Sequence, residues 1–488
     1  MRKGENMVLK AFREHFGRGY EVYEKSYREK SGFSFFLAKG EEGKLLIVAG
    51  EKAPEGLSFF KEHKIEDKRF FFCRKNHENL EVLKTYFSDL KPVPIGLKPS
   101  FGTGDRLGIT TPAHVRALKD SGLFPVFAQQ SVRENERTGR NWRDVLDDAT
   151  WGVFQEGFSE SFGADADHIK KEEDLIAAAR EGFSMFTLDP SDHVRNLSRL
   201  DEKEKNAIFE NILKKERLDK IYLGKKYTVV KEKVEFDEKN LRDAALVYYD
   251  AVVYVSMMYQ ILKDEISDFD LEVSVDETET PTSPLFHIFV VEELRRKKVE
   301  FTNLALRFIG EWEKGVDYKG DLALFEKEIK MHAEISRMFG GYKLSLHSGS
   351  DKFSVYPIFS AATDGLFHVK TAGTSYLEAI KTVSIVKPSL FREIFKCAVN
   401  HFEEDRKSYH ISADLSKAPD IDEVKDEDLP KLFEDSNVRQ ILHVTYGSVL
   451  RDISLKKALF ETLEQNEELF YEIVANHIKK HVTLLGGN

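Results

Sequence analysis

Residues 159–189 read SESFGADADHIKKEEDLIAAAREGFSMFTLD, and this stretch decides how the middle of the chain folds. It begins and ends with a short strand candidate, SESFGADAD and FSMFTLD, and each candidate ends in aspartate. The segment between them has the composition of a helix. Two strands joined by a helix pair in parallel through a right-handed crossover, so the stretch predicts one βαβ unit.

The same alternation continues on both sides of this unit. The strand candidates are RLGITT (106–111), FPVFAQQ (124–130), SESFGADAD (159–167), FSMFTLD (183–189), LEVSVDE (271–277), TNLALRFI (302–309), YKLSLHS (342–348) and LFHVKTA (366–372). Eight such strands, each followed by a helical segment, predict an α/β protein built on a closed (β/α)8 TIM barrel.

A small α/β domain is predicted before the barrel, at residues 1–95. Within it, SFFLAKGEEGKLLIVAG (34–50) predicts two strands around a Glu-Glu-Gly turn, and KRFFFCRK (68–75) predicts another strand. The segment LKPVPIGLKPSFGTG (90–104) is rich in proline and glycine and predicts a linker with a turn at its Gly-Thr-Gly end. That glycine pair precedes a strand candidate and has GxGxxxG spacing, so it does not predict a dinucleotide site.

The barrel itself is predicted at residues 96–380. A highly charged, mostly helical insertion interrupts it at about residues 190–268. Residues 381–488 predict a mostly helical extension that packs on the barrel.

Composition narrows the class of protein. Hydrophobic residues make up 41% of the 488 residues, which is enough for a large core, and the net charge of −11 argues against non-specific nucleic-acid binding. Cys73 and Cys397 are far apart and indicate a reduced, cytoplasmic protein. No run of about 18 apolar residues predicts a membrane span.

Polar residues at the strand ends mark the predicted active site, since the active site of a TIM barrel lies at the carboxyl ends of its strands. The residues in question are Asp165, Asp167, His168, Asp189, Glu272, Asp276, Glu277, Glu311, Glu313, His347, Ser348, Gly349, Ser350, His368, Lys370 and Thr371. Imidazole and carboxylate ligands suit one divalent cation such as Zn, Ni, Co, Mn or Fe. On this pattern alone, His168 and His347 are equally well explained as metal ligands or as hydrogen-bonded structural histidines.

Four segments, FGADADHIK, AAREGFSMFTLDPSD, LEVSVDE and YKLSLHSGSDKFS, resemble the motifs of the metal-dependent (class II) aldolases, in the same order. ADADH resembles a motif whose Asp is an acid/base and whose His binds metal, which implies these roles for Asp167 and His168. LEVSVDE resembles a strand with an acid/base carboxylate, at Glu272, and YKLSLHSGS resembles a metal-ligand motif, at His347. The aldolases have a third histidine ligand after strand six, where this chain has Glu313.

Over nearly its full length the chain is similar to the tagaturonate epimerase family, in GADADH, SVDETETPTSPLFH, LHSGSDKFS and VKTAGTSYLEA. The resemblance implies a metal-dependent 4-epimerase that interconverts D-tagaturonate and D-fructuronate in hexuronate catabolism. It implies a metal set of His168, Glu313 and His347 and an acid/base pair of Asp167 and Glu272. The implied substrate-binding residues are Gln130, Ser131, Ser348, Gly349, Ser350, Lys352, Lys370 and Thr374, with Gln129 beside them.

The chemistry of the substrate suggests how C4 is inverted. The C4 hydrogen is not adjacent to the C2 carbonyl, so direct deprotonation is difficult, and oxidation would need a dinucleotide site. The C4 hydroxyl is β to the carbonyl, so the C3–C4 bond can break as in an aldolase and re-form on the other face. A metal would stabilise the enediolate as a Lewis acid.

Two alternatives stay open at the level of the sequence: a true sugar or sugar-acid aldolase that releases both fragments, and a non-catalytic sugar-acid-binding subunit. We expect a small-molecule hexuronate as the partner, with neither nucleic acid nor membrane. A homo-oligomer is compatible with the sequence.

Overall fold

The computed structural model describes residues 6–487. The first five residues and Asn488, which belong to the predicted terminal regions, lie outside the described residues. The N-terminal elements are α1 (Met7–Phe16), β1 (Glu21–Lys30), β2 (Phe33–Gly40), β3 (Gly43–Gly50), β4 (Lys61–Ile65), β5 (Lys68–Arg74) and α2 (His77–Tyr86). Their strands form an antiparallel sheet in the order β1-β2-β3-β5-β4. The predicted Glu-Glu-Gly turn joins β2 to β3, where Gly40 pairs with Gly43.

A closed barrel of eight parallel strands follows, which confirms the predicted fold class. Its first half comprises β6 (Ser100–Thr103), α3 (Thr111–Leu118), β7 (Phe124–Ser131), α4 (Val132–Thr138), α5 (Trp142–Gln155), β8 (Gly163–Ile169), α6 (Glu172–Glu181) and β9 (Met185–Leu188). Between the halves lie α7 (Glu202–Glu216), α8 (Leu218–Tyr222), β10 (Lys226–Val229), β11 (Glu232–Glu235) and α9 (Glu238–Glu265).

The second half of the barrel comprises β12 (Asp270–Val275), α10 (Pro284–Arg296), β13 (Asn303–Leu306), α11 (Leu322–Met338), β14 (Lys343–Leu346), α12 (Tyr356–Thr363), β15 (Phe367–Thr371) and α13 (Thr374–Val386). Strand β9 pairs with β12, and β15 pairs with β6 to close the barrel. Every residue of the short strands β6, β9, β13 and β14 is buried, as expected for strands covered on both faces.

The prediction for the first barrel strand was wrong. RLGITT forms a turn in which the Asp105 carboxylate accepts the backbone N–H groups of Leu107, Gly108 and Thr110, and the strand is instead β6, inside the predicted linker. A Cβ atom on Gly102 would lie 1.9 Å from Gln129 Oε1, so this glycine permits a close approach inside the barrel. At Gly102, the glycine that contributed to the prediction of a linker is instead needed for close packing inside the barrel.

The segment between β9 and β12 is mostly helical, as predicted, but it also contains the antiparallel hairpin β10–β11, which was not predicted. Its last helix, α9, packs against α6 and α10 in the place of a barrel helix. By length and composition α9 is the one helix in the described part of the chain that could cross a membrane, contrary to the prediction of no such run. Its most apolar window of 18 residues has a mean hydropathy of 1.3, and 61% of that window is buried, as in a core helix.

After the barrel come the helices α14 (Pro388–Asp405), α15 (Ser436–Val444), α16 (Tyr446–Arg451), α17 (Ile453–Gln465) and α18 (Glu467–Leu484). Helix α18 packs against α3, α12 and α13, and α16 packs against α4. One contiguous apolar core extends from the N-terminal sheet through the barrel to these helices. The C-terminal helices therefore help to position the loops on the barrel.

Candidate active site

A cavity of about 750 Å³ opens at the carboxyl ends of the barrel strands. Residues at or beyond the ends of β7, β8, β9, β12, β13, β14 and β15 line it, together with residues 408–410 and 443 of the C-terminal region. Active sites of (β/α)8 enzymes lie at this face. The cavity is therefore the candidate active site.

The centre of this site is a group of three residues that we name the cavity cluster: His168, Asp276 and His347. One ligand atom from each residue lies within 4.8 Å of those of the other two. The two imidazole rings are 4.9 Å apart between centroids, and Nδ1 of His347 lies 3.3 Å from Asp276 Oδ2. The structure thus brings together the two histidines that the sequence singled out, although they are far apart along the chain.

The backbone of β8 helps to direct His168 into the cavity. The pairing of β8 with β9 shifts register between Ala166 and Ile169, and His168 has a φ of 54° in the left-handed region. A bulge of this kind changes the direction in which side chains point near the end of a strand. As a result Asp167 and His168, although adjacent, both line the cavity, and Asp167 Oδ1 accepts a hydrogen bond of 2.8 Å from His168 Nδ1.

Lys370 on β15 is surrounded by carboxylates. Its Nζ lies 2.7 Å from Asp165, 2.7 Å from Asp167 and 2.8 Å from Glu272. Burial alone would lower the pKa of Lys370, but these carboxylates raise it well above its usual value. Lys370 is therefore held as a cation whose donors are engaged by the protein, although it lines the cavity, and its predicted substrate-binding role stays a prediction.

Glu272 on β12 supports His347 from within the barrel. It is fully buried, does not line the cavity, and accepts a hydrogen bond of 2.5 Å from His347 Nε2. It also accepts hydrogen bonds from Ser345 Oγ and from Asn303 Nδ2, the latter at 3.1 Å. These contacts favour a role in orienting His347 over the predicted acid/base role.

The cavity cluster suits a divalent cation. Because Asp167 engages Nδ1 of His168, the other ring nitrogen is left for a ligand, and His347 Nδ1 is buried without a hydrogen bond. Burial lowers the pKa of His347, but Asp276 and Glu272 raise it to about 10, because these carboxylates outnumber the nearby cations. Imidazole nitrogen with carboxylate oxygen is the ligand chemistry of Zn, Mn, Fe, Co and Ni.

Glu313 does not join the cavity cluster, which corrects its predicted role as third ligand. Its carboxylate accepts hydrogen bonds from Lys319 at 2.9 Å, Gln440 at 2.7 Å and Ser412 at 2.8 Å. These bonds tie the loop after β13 to the C-terminal region. Asp276 occupies the place by the two histidines that the sequence assigned to Glu313.

The predicted substrate-binding residues divide into two sets. Ser131, Ser348 and Ser350 line the cavity, as does Gln129, whereas Gln130, Gly349, Lys352 and Thr374 do not. Neighbouring residues on a strand point to opposite faces, so Gln129 rather than Gln130 faces inward. Lys352 Nζ donates to the carbonyl oxygens of Glu313, Val316 and Ser350, and Thr374 Oγ1 donates to Asp351.

Sequence reasoning missed several cavity-lining residues because they lie on loops and helices rather than at strand ends. Arg106, Arg133, Lys314 and His443 line the cavity, and none was proposed as a site residue. Lys314 directly follows Glu313, but a lone lysine in a loop is usually solvated and gives little signal. His443 lies on α15, outside the barrel strands that the prediction considered.

A second group, which we name the helix cluster, consists of Asp351, His477 and His481. His481 Nδ1 donates to the His477 carbonyl oxygen at 2.9 Å, and His481 Nε2 accepts from the Asp351 N–H at 3.0 Å. His477 lies 2.6 Å from Asp351 and 3.4 Å from Glu378, and Arg439 lies 2.9 Å from Asp351. Every nitrogen of the two imidazole rings thus has a protein partner. The guanidinium of Arg439 already provides a positive charge beside Asp351.

A closed parallel barrel with the cavity cluster at the carboxyl ends of its strands defines an enzyme of the (β/α)8 class. The chain matches the family described as tagaturonate epimerase over residues 23–485. It is 79% identical over 481 residues to the tagaturonate/fructuronate epimerase of Thermotoga maritima. The matched residues make up 99% of this chain and 100% of that protein. It belongs to the tagaturonate epimerase family and is therefore an isomerase, as the sequence predicted.

Solved structures agree with this assignment. The native crystal structure of the fructuronate-tagaturonate epimerase from Cohnella laeviribosi has a TM-score of 0.91, and a structure of the same enzyme with two glycerol molecules has 0.92. Each is 37% identical to this chain and covers 99% of it and 100% of its own chain.

Proposed function

We propose that this protein interconverts D-tagaturonate and D-fructuronate by cleaving the C3–C4 bond and re-forming it on the other face of C4. The observation that carries the proposal is the cavity cluster, with Asp167 hydrogen-bonded to His168 at its edge. The family assignment supplies the substrate pair, and the aldolase-like placement of the two histidines supports the bond that breaks.

His168, Asp276 and His347 are the residues that would hold one divalent cation. When bound there, the cation would supply Lewis-acid stabilisation of negative charge on the oxygens of the substrate. Glu272 would act as a positioning residue, because its hydrogen bond to His347 Nε2 fixes the ring and leaves Nδ1 directed at the cluster.

Asp167 is the residue we assign to proton transfer at the C4 hydroxyl. It lines the cavity, and hydrogen bonds from His168 and Lys370 fix its carboxylate. Burial raises the pKa of Asp167, but His168 and Lys370 lower it well below its usual range, so the carboxylate is ionised, which is the form that a proton acceptor requires. The opposite epimer needs a second group, and Asp189 and Glu277 are cavity-lining carboxylates within 4.8 Å of His168.

The cavity and the two cysteines support the expected class of substrate and the expected cellular compartment. The substrate is a small sugar acid, which fits a cavity of this size and polarity. Cys73 and Cys397 are both free thiols, in keeping with the expected reducing, cytoplasmic environment.

A metal analysis coupled to an epimerase assay tests the proposal. Protein purified without chelator should contain about one divalent cation per chain and should convert tagaturonate to fructuronate in both directions. Removal of the metal should abolish turnover, and adding back single metals should restore it. Accumulation of free three-carbon products would favour an aldolase instead. Full turnover in the chelated enzyme would refute the metal mechanism.

A further inference from the structure

The substrate carboxylate needs a cation, and the two lysines predicted to bind it are occupied elsewhere. Lys370 is enclosed by three carboxylates, and Lys352 donates to three backbone carbonyls. Lys370 lines the cavity and Lys352 does not. Among the further cations that line it, Arg106 is paired with Glu134 at 2.9 Å and Lys170 lies 3.5 Å from Asp189. These four cations already have partners, so the carboxylate partner must be sought among those that remain.

The cavity-lining cations that remain are Arg133, Lys171, Arg307 and Lys314, and Lys314 is the one that contacts the residue next to His347. It is half-buried, and its Nζ donates a hydrogen bond of 2.7 Å to Oγ of Ser348, the residue after His347. No carboxylate in the described residues 6–487 lies within 4.0 Å of this ammonium group. The one hydrogen bond leaves two of its three N–H donors for a ligand.

The backbone around Lys314 is fixed from two sides. The buried ammonium of Lys352 donates to the carbonyls of Glu313 at 2.9 Å and Val316 at 2.5 Å. From α15, Gln440 donates to the carbonyl of Lys314 at 3.3 Å, and Arg439 donates to that of Gly315 at 2.7 Å. The bonds made by Glu313 hold the same loop. Lys314 is thus a preorganised cation, which lowers the entropy lost when a ligand binds.

A second cation lies near Lys314. Arg133, at the start of α4, lines the same cavity and is held over the ring of Tyr409 at 5.0 Å from the centroid. Burial, and next the charge of Arg133, lower the pKa of Lys314. An anion between the two groups would relieve this repulsion.

We propose that Lys314, assisted by Arg133, binds the C6 carboxylate of the substrate and retains the carboxylate-bearing fragment between cleavage and re-addition. This inference rests on the proposed function. When the C4 hydroxyl loses its proton, the C3–C4 bond breaks, its electron pair remains with C3 as the enediolate, and C4 becomes an aldehyde. The fragment of C4, C5 and C6 is then a three-carbon aldehyde acid.

Anchoring at C6 explains how the enzyme epimerises rather than cleaves. With the carboxylate held, rotation about the C4–C5 bond turns the other face of the aldehyde toward C3. The enediolate then adds to that face, and the new alkoxide takes up the proton, so that atoms and electrons balance. A tethered fragment also re-adds faster than it escapes, because re-addition is effectively unimolecular.

The experiment compares the metal-loaded wild type with Lys314→Met, Lys314→Arg and a control, Lys330→Met, which removes a lysine of an exposed helical ion pair. Epimerisation of tagaturonate is followed together with release of the three-carbon aldehyde acid, trapped as a hydrazone. Lys314→Met should reduce kcat/KM by about 100-fold and release more aldehyde acid per turnover. Lys314→Arg should recover part of the activity and lower the release, and Lys330→Met should match the wild type.

Two outcomes would overturn the anchor. One is a Lys314→Met enzyme with unchanged kcat/KM. The other is a loss of activity without increased fragment release, or without recovery in Lys314→Arg, since a merely structural role would give that pattern. The proposed function is tested separately, because its failure would already appear as a wild type that does not epimerise tagaturonate.

Discussion

The cavity cluster and the helix cluster contain the same residue types, two histidines and one aspartate, at similar spacing, but their surroundings differ. In the helix cluster each imidazole nitrogen has a protein partner, and Arg439 and Glu378 balance the charges of Asp351 and His477. In the cavity cluster Nδ1 of His347 has no hydrogen bond to any residue in the described range 6–487, and carboxylates outnumber cations.

This difference teaches that distances among ligand atoms do not by themselves define a metal site. A cation binds where donor atoms are unsatisfied and negative charge is in excess, because these groups must compensate for the water molecules that the cation loses. The helix cluster already obtains its hydrogen bonds and charge balance from the protein. We therefore interpret it as a structural network that joins α18 to the loop after β14.

The largest expected effect separates the two clusters directly. His347→Ala should lose both bound metal and epimerase turnover, because it removes a ligand from the cavity cluster. His477→Ala, the matched control, should keep its metal content near that of the wild type. Metal analysis of both purified variants checks this, and equal loss of metal from the two would contradict the distinction.

Asp167→Asn should reduce turnover by about 10²- to 10⁴-fold while metal content stays near normal, because an amide cannot accept the C4 proton. Epimerase kinetics and metal analysis on the same preparation provide the measurement. If the metal were lost as well, Asp167 would act by orienting His168 instead.

A smaller effect tests which carboxylate belongs to the cavity cluster. Asp276→Asn should weaken metal affinity by about 10- to 100-fold, whereas Glu313→Gln should leave it unchanged. Competition with a fluorescent chelator measures both affinities. The reverse order would restore Glu313 as the third ligand.

The helix cluster should instead affect stability. Asp351→Asn should lower the free energy of unfolding by about 3 kcal/mol. The substitution removes the nearest carboxylate from the half-buried side chains of Arg439 and His477, and Glu378 lies farther from them, at 3.7 and 3.4 Å. Urea denaturation at neutral pH measures this loss, with Asp414→Asn at a half-exposed turn as the control. A loss no larger than that of the control would argue against a structural network.

The smallest effect concerns pH. Burial lowers the pKa of His477, but Glu378 and Asp351 raise it above its usual value. A raised folded-state pKa contributes stability that is present below the unfolded value and lost as pH rises through the folded value. The difference in unfolding free energy between wild type and His477→Ala should therefore be larger at about pH 6 than at about pH 9. A pH-independent difference would mean that His477 acts without its charge.

The sequence by itself determined the barrel, because strands that end in polar residues and alternate with helices have few compatible folds. It also predicted that His168, His347 and Asp167 lie together, since each stands at the carboxyl end of a strand and these ends converge, and all three line the cavity. The first strand was predicted in the wrong place, because the sequence alone does not distinguish a glycine required by close packing from a glycine in a linker.

Only the tertiary structure decided which polar side chains bind other parts of the protein and which can contact a ligand. Hydrogen bonds from Lys319, Gln440 and Ser412 engage the carboxylate of Glu313 away from the cavity cluster, and three carboxylates surround Lys370. A side chain can bind a ligand only if the fold leaves its donor or acceptor unsatisfied, and that depends on partners far away in sequence. For the same reason the free cation of Lys314 could be recognised only once the cavity was assembled.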